Sequence, residues 1–479
     1  MSKKFEANLV VIGAGSAGLV SAYIAAAVKA KVILIERHKM GGDCLNTGCV
    51  PSKAILRSAK MSSYMERAEE FGFKAVKPVP VFKNIMSRVH KVIEEIEPHD
   101  SIERYTGLGV ECVTGEATIL SPNEVKVGDR IITTKNIILA SGARPFVPPI
   151  EGLDQVDYLT SDNIWGLQHQ PKRLIVLGGG PIGCELSQAF GKLGSEVTQV
   201  EMMPTIMGRE DDDAKEIVAQ SLINDGINVL TSHRALRVEK RDDKKVLVCE
   251  HEEKEVEIEF DDILVAVGRK ANTEGLGLDK LGIKLRKNGT IETDDYLRTV
   301  VPNIFACGDV TGPYQFTHTA AHQAWYAVVN ALFGFIKKFK VDYRVIPWAT
   351  FTMPEVARVG LNETDAKAQN IPYDVIKYGI GDLDRAIADG EAKGFVKVLT
   401  KPGSDKILGV SIVGHHAGDL IAEYVLAMKH NLGMNKILGT IHLYPSLAEA
   451  NKYAAGQWKQ ANKPEGLLRF AEWLHNWRR

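Results

Sequence analysis

The sequence has few cysteines, no excess of charge of either sign and no long apolar run. Six cysteines in 479 residues exclude a disulfide-rich secreted scaffold and favour a reducing compartment, the cytoplasm. Lys and Arg (59) balance Asp and Glu (60), so the composition does not indicate general nucleic-acid binding. No run reaches the roughly 18 to 20 apolar residues that span a bilayer. We therefore expect a soluble protein, or one that lies on a membrane.

The length indicates two to four domains rather than one compact unit. The apolar stretch from Leu9 to Ala30 resembles a signal peptide only in composition, because GAGSAG interrupts it and no cleavage site follows. It is better explained as a strand, a turn and a helix.

Two segments share this plan, residues 8–37 and residues 173–201. Each has the pattern of a strand–helix–strand unit of about 30 residues with GxGxxG at the first turn. Such glycines permit a tight turn, close approach of a pyrophosphate and close packing of helix on strand, with the phosphates at the positive end of the helix dipole. One copy is weak evidence, but two copies predict two dinucleotide sites. The glycines are Gly13, Gly15 and Gly18 in the first unit and Gly178, Gly180 and Gly183 in the second.

An acidic residue ends the second strand of each unit. Glu36 and Glu201 are expected to accept hydrogen bonds from a ribose. A carboxylate repels a 2′-phosphate, and no arginine follows the second one until Arg209. The second site is therefore predicted to prefer NADH to NADPH.

Three further short strands lead to loops that suit a nucleotide site. NIILASGARP, with Ser141 and Gly142, and DILVAVGRKAN, with Gly268, would each close a dinucleotide-binding domain. NIFACGDV delivers Asp309 to a loop, where its carboxylate would hold a polyol hydroxyl or, alternatively, cap the next helix. From about Ile346 the pattern becomes α+β with no nucleotide signature.

The stretch GGDCLNTGCVPSK, residues 41–53, contains Cys44 and Cys49 with four residues between them. A structural disulfide closing so small a loop would stabilise little. A zinc site would need further ligands, and no second Cys/His cluster is present, so no metal site is predicted. A redox pair, in which one sulfur attacks substrate and the other resolves the mixed disulfide, explains the spacing best.

This stretch resembles the active-site signature of the class I pyridine nucleotide-disulfide oxidoreductases, and the resemblance runs from about Ala7 to Tyr453. It implies an α/β fold with two Rossmann-like domains that bind FAD and NAD(H), the second inserted in the first. It also implies a C-terminal α+β domain that forms a homodimer and completes the partner's active site. The corresponding boundaries are 1–150 and 273–345 for the FAD-binding domain, 151–272 for the NAD-binding domain, 346–450 for the interface domain and 451–479 for an amphipathic extension.

The resemblance also implies roles for individual residues. Cys44 matches the interchange thiol that attacks substrate, and Cys49 the charge-transfer thiol against the flavin. Lys53 matches the lysine beside the flavin and Glu185 its ion-pair partner. His318 matches a residue near the flavin, although a histidine at a helix start also commonly points to solvent. Residues assigned to FAD in the same way are Gly42, Asp309 on the ribityl chain, and Thr317 with His318 near the pyrimidine edge.

The sequence departs from the family where a catalytic histidine is expected before a proline. In HLYPSLAEA, residues 442–450, Tyr444 occupies that position and Glu449 is kept. A tyrosine of pKa ~10 is a poor base at neutral pH, whereas a histidine of pKa ~6.5 suits the task. His442 would replace it if the chain is extended there; alternatively, His442 is only packed at the interface.

Two more departures bear on the substrate. A tyrosine at position 444 resembles mercuric reductase, but that activity uses a cysteine pair near the C-terminus, and no cysteine follows Cys307. Pro181 stands where glutathione reductase has a tyrosine, so glutathione is a less expected substrate.

The tail, residues 464–479, has an apolar helical face that includes Trp473 and Trp477. Such a helix would lie in a membrane interface, dock on a partner or pack on its own dimer.

The sequence thus predicts an FAD-dependent, NADH-preferring oxidoreductase that passes electrons from the nicotinamide through the flavin to Cys44 and Cys49 and on to a disulfide or a thiol-reactive acceptor. By its motifs it is dihydrolipoyl-dehydrogenase-like. The alternatives are a mercuric-reductase-like metal-ion reductase and a membrane-recruited electron relay. The expected location is the cytoplasm, with peripheral contact at the inner face of a membrane through the tail.

Overall fold

A computed structural model describes residues 5–242 and 244–479. The described chain forms two compact units. Unit 1 lies within Met1–Ala68, Ala75–Pro204 and Gly226–Asp342, and unit 2 comprises Glu69–Lys74, Thr205–Asp225 and Tyr343–Arg479.

The strands of unit 1 form two mainly parallel sheets and smaller antiparallel ones. In chain order they are β1 Ala7–Ile12, β2 Val32–Glu36, β3 Val110–Thr114, β4 Ala117–Ser121, β5 Glu124–Val127, β6 Arg130–Leu139, β7 Ala143–Pro145, β8 Tyr158–Leu159, β9 Arg173–Leu177, β10 Glu196–Val200, β11 Asn228–Leu230, β12 Arg234–Arg241, β13 Lys244–His251, β14 Lys254–Phe260, β15 Asp262–Val265, β16 Arg269–Ala271 and β17 Ile304–Ala306.

The α-helices of both units alternate with these strands or follow them. In chain order they are α1 Ser16–Ala27, α2 Gly42–Asn46, α3 Cys49–Glu66, α4 Phe82–Ile96, α5 Ile102–Gly107, α6 Pro181–Lys192, α7 Asp212–Asn224, α8 Thr317–Phe333, α9 Glu363–Ala368, α10 Asp384–Ala388, α11 Ala417–Lys429, α12 Met434–Leu438, α13 Glu449–Ala461 and α14 Glu465–Arg478.

The first sheet has the order β3-β2-β1-β6-β5-β4, with β17 also paired to β6. Strands β3, β2, β1, β6 and β17 are parallel neighbours. Strands β1 and β2 are mostly apolar, which fits strands covered on both faces: β1 is buried at all but one position and β2 at all but its last, Glu36. Because carboxyl ends of parallel strands meet at one edge, the loops after β1, β2, β6 and β17 gather there.

The second sheet repeats the arrangement with the order β11-β10-β9-β15-β8, all parallel. Here β9, α6 and β10 correspond to β1, α1 and β2. Beside them, β12, β13 and β14 form a three-stranded antiparallel sheet, and β7 pairs with β16.

Unit 2 contains one antiparallel sheet in the order β18-β19-β22-β21-β20. Its strands are β18 Pro347–Thr350, β19 Glu355–Gly360, β20 Asp374–Gly379, β21 Phe395–Thr400 and β22 Ile407–Gly414. Helices α11 and α13 pack on it around buried side chains such as Tyr424 and Trp458. The predicted α/β class with two Rossmann-like units and a C-terminal α+β unit is confirmed; the predicted domain boundaries stay a prediction.

Residues 205–225 belong to unit 2, where Asp211 and Asp213 form ion pairs with a buried lysine, Lys397. Lys397 on β21, whose side chain is 1% exposed, lies 2.7 Å from Asp211, 2.8 Å from Asp213 and 3.0 Å from Glu363. Burial opposes the charge on Lys397, but these three carboxylates raise its pKa. Burial acts to raise the pKa of Asp211 and Asp213, but hydrogen bonds lower both: from Lys397 to Asp211, and from Lys377 and Lys397 to Asp213.

The tail forms helix α14, none of whose residues is buried. Its apolar face includes Phe470 and Trp473, whose rings stack with centroids 5.8 Å apart. Over the described part of the chain, every helix is too short or too polar to cross a bilayer.

Candidate functional site

The two glycine-rich turns have the same backbone geometry. Gly13 and Gly178 adopt φ of 102° and 111°, a region that favours glycine. A Cβ on Gly18 would lie 1.7 Å from the carbonyl oxygen of Gly13, and a Cβ on Gly183 would lie 2.1 Å from that of Gly178. Each helix therefore packs against its turn only because these positions are glycine.

The acidic residues at the ends of β2 and β10 face these turns in the same way. Glu36 accepts hydrogen bonds from the backbone N–H of Ala14 (2.7 Å) and His38 (2.9 Å). Glu201 accepts them from Gly179 (2.6 Å) and Met203 (2.7 Å). A carboxylate has further acceptor sites beyond these two, which suits a ribose diol.

The first turn fits a dinucleotide such as FAD. Helix α1 begins after Gly15, and no side chain caps its first backbone N–H groups. These N–H groups can therefore bind a phosphate. Gly42 approaches so closely that its Cβ would lie 2.6 Å from the Cα of Gly15. A cavity of about 270 Å³ is lined by Arg37, Arg144, Asn272 and Glu274. Arg37 directly follows Glu36 in the sequence.

The predicted closing loops meet beside this turn. Ser141 Oγ donates to the carbonyl of Asn272 (2.7 Å), and the Asn272 side chain donates to the carbonyl of Ser141 (2.9 Å). Gly142 and Gly268 adopt positive φ, 69° and 141°.

Cys44 lies in α2 and Cys49 is the first residue of α3, with both sulfurs unbonded. A hydrogen bond from Cys44 is the main cause that lowers the pKa of Cys49 to about 6, with burial opposing it and Thr317 and Lys53 assisting. The same hydrogen bond, with burial, raises the pKa of Cys44. The two thiols are therefore unequal: Cys49 is the thiolate near neutral pH, and Cys44 keeps its proton while it donates to Cys49.

Together with Cys44, two predicted side chains, Thr317 and Lys53, lower the pKa of Cys49. Thr317 Oγ1 lies 3.4 Å from its sulfur, and Ser16 Oγ donates to the Thr317 carbonyl (3.1 Å). Lys53, one turn along α3, binds Glu185 of α6 at 2.8 Å, and the Glu185 side chain is 6% exposed. The ion pair thus joins α3, which begins at Cys49, to α6, the helix after the second glycine turn.

The sequence did not single out Asp43 and Arg269. Arg269 Nη2 lies 2.6 Å from Asp43 Oδ2, and Arg269 Nε lies 3.8 Å from Asp309 Oδ2. Burial raises the pKa of Asp309 to about 6, although Arg269 opposes this. A partly buried carboxylate with an arginine beside it suits a polyol hydroxyl group. The sequence feature that could have indicated these two residues is their position next to predicted site residues: Asp43 precedes Cys44, and Arg269 follows Gly268.

His318 lies on the exposed side of this region. Its ring stacks on that of Phe316, with centroids 5.3 Å apart. Its role at the flavin stays a prediction.

The residues proposed for proton transfer lie in unit 2. His442 Nε2 is 2.9 Å from Glu423 and Nδ1 is 3.0 Å from the carbonyl of Thr440, with the side chain 5% exposed. Tyr444 is exposed, and its hydroxyl donates to Asp384 (3.0 Å), which raises its pKa. Glu449 accepts from the backbone N–H of Ser446 (3.3 Å).

This segment is irregular rather than a strand, so the extended chain on which the predicted role of His442 depends is not what the structure has there. Among the described residues, no group of three or more Cys, His, Asp or Glu side chains is arranged to hold a metal ion.

Comparisons with known proteins agree with this geometry. Residues 7–324 match the family model described as pyridine nucleotide-disulphide oxidoreductase, and residues 346–455 match that family's dimerisation domain. The chain is 36% identical to a dihydrolipoyl dehydrogenase of Chlamydia muridarum over 94% of its own length and 96% of the relative's. It is 35% identical to a mercuric reductase of Staphylococcus aureus over 94% and 82% of the two lengths.

A solved structure is also similar. It is a Cu(II) complex of the HOCl-induced flavoprotein disulfide reductase RclA from Escherichia coli, with a TM-score of 0.85, 25% identity, and coverage of 95% of this chain and 100% of that one.

Proposed function

Since the chain belongs to the pyridine nucleotide-disulfide oxidoreductase family, whose members depend on FAD and use a pyridine nucleotide, we propose that it carries electrons from NADH to a disulfide or another thiol-reactive acceptor through Cys44 and Cys49. When bound, FAD supplies the two-electron link between nicotinamide and cysteine pair. The enzyme class is a flavin-dependent disulfide oxidoreductase.

The observation that carries the proposal is the placement of two free cysteines, Cys44 and Cys49, in neighbouring helices, with Thr317 Oγ1 3.4 Å from the Cys49 sulfur. Two electrons and one proton convert a Cys44–Cys49 disulfide into a Cys44 thiol and a Cys49 thiolate. Thr317, Lys53 and the start of α3 stabilise the thiolate. Cys44 then attacks the acceptor after losing its proton, and Cys49 attacks Cys44 to re-form the disulfide and release the reduced product.

The preference for NADH is supported by Glu201. Its carboxylate is fixed by two backbone N–H groups at the second glycine turn, and exposed Met202 and Met203 follow it. A 2′-phosphate placed there would meet a negative charge, and the first arginine that follows Glu201 in the sequence is Arg209.

A metal ion is the second candidate acceptor, and the proton-transfer residues favour it. His442 is already bound to Glu423, and Tyr444 has a raised pKa. A thiophilic metal ion that binds the two sulfurs directly has less need of a general base than a disulfide has. The mercuric reductases and the copper complex among the relatives are consistent with this chemistry.

A homodimer is proposed from the match of residues 346–455 to the family's dimerisation domain. Recruitment to a membrane through residues 464–479 is proposed from the exposed apolar face of α14.

The test is NADH oxidation by the FAD-loaded enzyme with lipoamide, glutathione disulfide, a quinone, Hg(II) or Cu(II). We expect one class of acceptor to stimulate turnover, Cys44→Ser to abolish it and Cys112→Ser, a partly buried cysteine outside the pair, to keep it. In a dithionite titration, wild type should take up four electrons per flavin and Cys44→Ser two. Equal turnover or equal uptake in Cys44→Ser would reject the redox role of the pair.

A further inference from the structure

The segment FGFIKKFK, which begins at the last residue of helix α8 in unit 1, has an exposed apolar tip next to several lysines. We call residues 333–340 the 333–340 loop. Phe335 is 80% exposed and Ile336 is 73% exposed. Single exposed apolar residues are common, but here two adjacent ones form the tip, and Phe333 and Trp325 are also exposed nearby in sequence.

This tip is held in place rather than loosely exposed. Asn330, which is buried, accepts a hydrogen bond from the N–H of Phe339 (2.8 Å) and donates to its carbonyl (2.8 Å). The ring of Phe339 packs edge-on against Trp325, with centroids 5.4 Å apart. Gly334 makes the turn possible, since a Cβ there would lie 2.2 Å from the carbonyl oxygen of Asn330. The fold therefore presents Phe335 and Ile336 to the outside.

The charge around the tip is positive. The loop contains Lys337, Lys338 and Lys340 and no acidic residue. Lys340 is paired with Asp295 at 2.8 Å. The other two lysines lie over aromatic rings. Lys337 Nζ is 5.1 Å from the ring centroid of Phe339, and Lys338 Nζ is 6.0 Å from that of Tyr296.

A cavity of about 210 Å³ opens beside the tip. Phe335, Lys338, Arg298, Tyr296 and Asn136 line it, among others. Arg298 is paired with Asp294 at 3.1 Å, which leaves Lys338 as the cation with no carboxylate partner among the described residues. A phosphate-sized anion fits such a cavity in both charge and volume.

We propose that the 333–340 loop docks on an anionic lipid surface, with Phe335 and Ile336 inserted into the interface, Lys337 and Lys338 at the headgroups and one lipid phosphate in the cavity. Apolar side chains flanked by lysines are suited to this environment, because lysine stems lie along the apolar layer while the charges reach the phosphates. A protein partner is less suited, since lysine is depleted at the centre of protein interfaces. The inference does not depend on the proposed acceptor.

The experiment is flotation of the FAD-loaded full-length enzyme with vesicles of phosphatidylglycerol and phosphatidylcholine in equal parts, compared with phosphatidylcholine alone. Wild type should bind the anionic vesicles, and binding should weaken as salt is raised. Lys337→Glu/Lys338→Glu should weaken it by at least about twentyfold. The matched control, Lys284→Glu/Lys287→Glu, makes the same charge change at exposed positions elsewhere on unit 1 and should have a much smaller effect.

The apolar part is tested with Phe335→Ser/Ile336→Ser, for which we expect a loss of about tenfold or more. Ile131→Ser/Leu285→Ser, at two exposed apolar positions of unit 1, is the control. NADH-dependent turnover and bound FAD should be unchanged in all four variants, which shows that they fold.

Three results would overturn the proposal: no binding of wild type to anionic vesicles, equal binding by the tip variant and wild type, or binding that disappears only when residues 464–479 are deleted. The last would assign membrane contact to the tail instead.

Discussion

The hydroxyl oxygen of Thr317, the first residue of helix α8, lies 3.4 Å from the sulfur of Cys49, the first residue of helix α3. A hydroxyl donates a hydrogen bond to a thiolate and helix starts favour negative charge, so this contact stabilises the ionised form of Cys49. The hydrogen bond from Cys44 is the larger cause of the lowered pKa, and Thr317 adds to it.

Thr317→Val should raise the pKa of Cys49 from about 6 by about 1. The thiolate of the reduced enzyme is then populated only at higher pH, so the acidic limb of the pH–rate profile moves upward. The measurement is the charge-transfer absorbance of the reduced holoenzyme between pH 5 and 8. Thr319→Val is the control, because the buried Thr319 hydroxyl has no hydrogen-bond partner among the described residues. If the absorbance changes at the same pH midpoint in Thr317→Val and Thr319→Val, the contact between Thr317 and Cys49 does not stabilise the thiolate.

The carboxylate of Glu201 should determine the choice of nicotinamide cofactor. Glu201→Gln keeps an oxygen for the N–H of Gly179 but removes the negative charge. We expect kcat/KM for NADPH to rise about tenfold relative to that for NADH. Glu196→Gln, at the exposed start of the same strand, should leave the ratio unchanged. If Glu201→Gln has the same ratio as wild type, the preference arises elsewhere in the site.

Local features of the site were predictable from the sequence. The resemblance also predicted one long-range contact, the Lys53–Glu185 ion pair, but the other long-range contacts were not predicted. The glycine turns and the acids Glu36 and Glu201 lie within short segments whose spacing reflects one strand–helix–strand unit. By contrast, Thr317 and Cys49 are 268 positions apart. Only the fold brings them together, and the same is true of Arg269 with Asp43.

The resemblance provided candidate residues near Tyr444 but not their contacts. His442 was a candidate base on the assumption of an extended chain. In the structure the segment is irregular, and the His442 ring bridges Glu423 and the Thr440 carbonyl. The sequence argument used only the spacing of two residues between His442 and Tyr444. Such spacing cannot reveal Glu423, which lies on another element, α11.

Tyr444→His should increase turnover with dihydrolipoamide, because it places a base of pKa ~6.5 where the family has one. General-base catalysis is typically worth 10²–10⁴-fold, so we expect a gain of at least about tenfold. His442→Gln is the matched comparison: since His442 is bound to Glu423, that variant should lower stability and leave the pH–rate profile unchanged. A shift of the pH–rate profile in His442→Gln would show that His442 takes part in proton transfer. If Tyr444→His turns over dihydrolipoamide no faster than wild type, position 444 does not limit turnover.

The buried ion cluster of Lys397 should make unit 2 sensitive to both mutation and acid. Lys397→Met leaves Asp211, Asp213 and Glu363 without their shared cation, and we expect a loss of about 3 to 5 kcal/mol in the free energy of unfolding at pH 7. Lys377→Met removes a cation that is 45% exposed from Asp213 and should cost no more than about 1 kcal/mol.

The pH dependence separates this cluster from a packing effect. The pKa values of Asp211 and Asp213 are lowered in the folded protein, so their contribution is present above the unfolded value of about 4 and is lost as the pH falls through the folded values. Wild type therefore loses this stability in acid, whereas Lys397→Met has already lost the part that depends on Lys397 and keeps only the Lys377–Asp213 pair. The urea midpoints of the two proteins should differ most at pH 7 and approach each other below about pH 4. A difference that stays constant over this range would assign the loss to packing of the Lys397 side chain rather than to its charge.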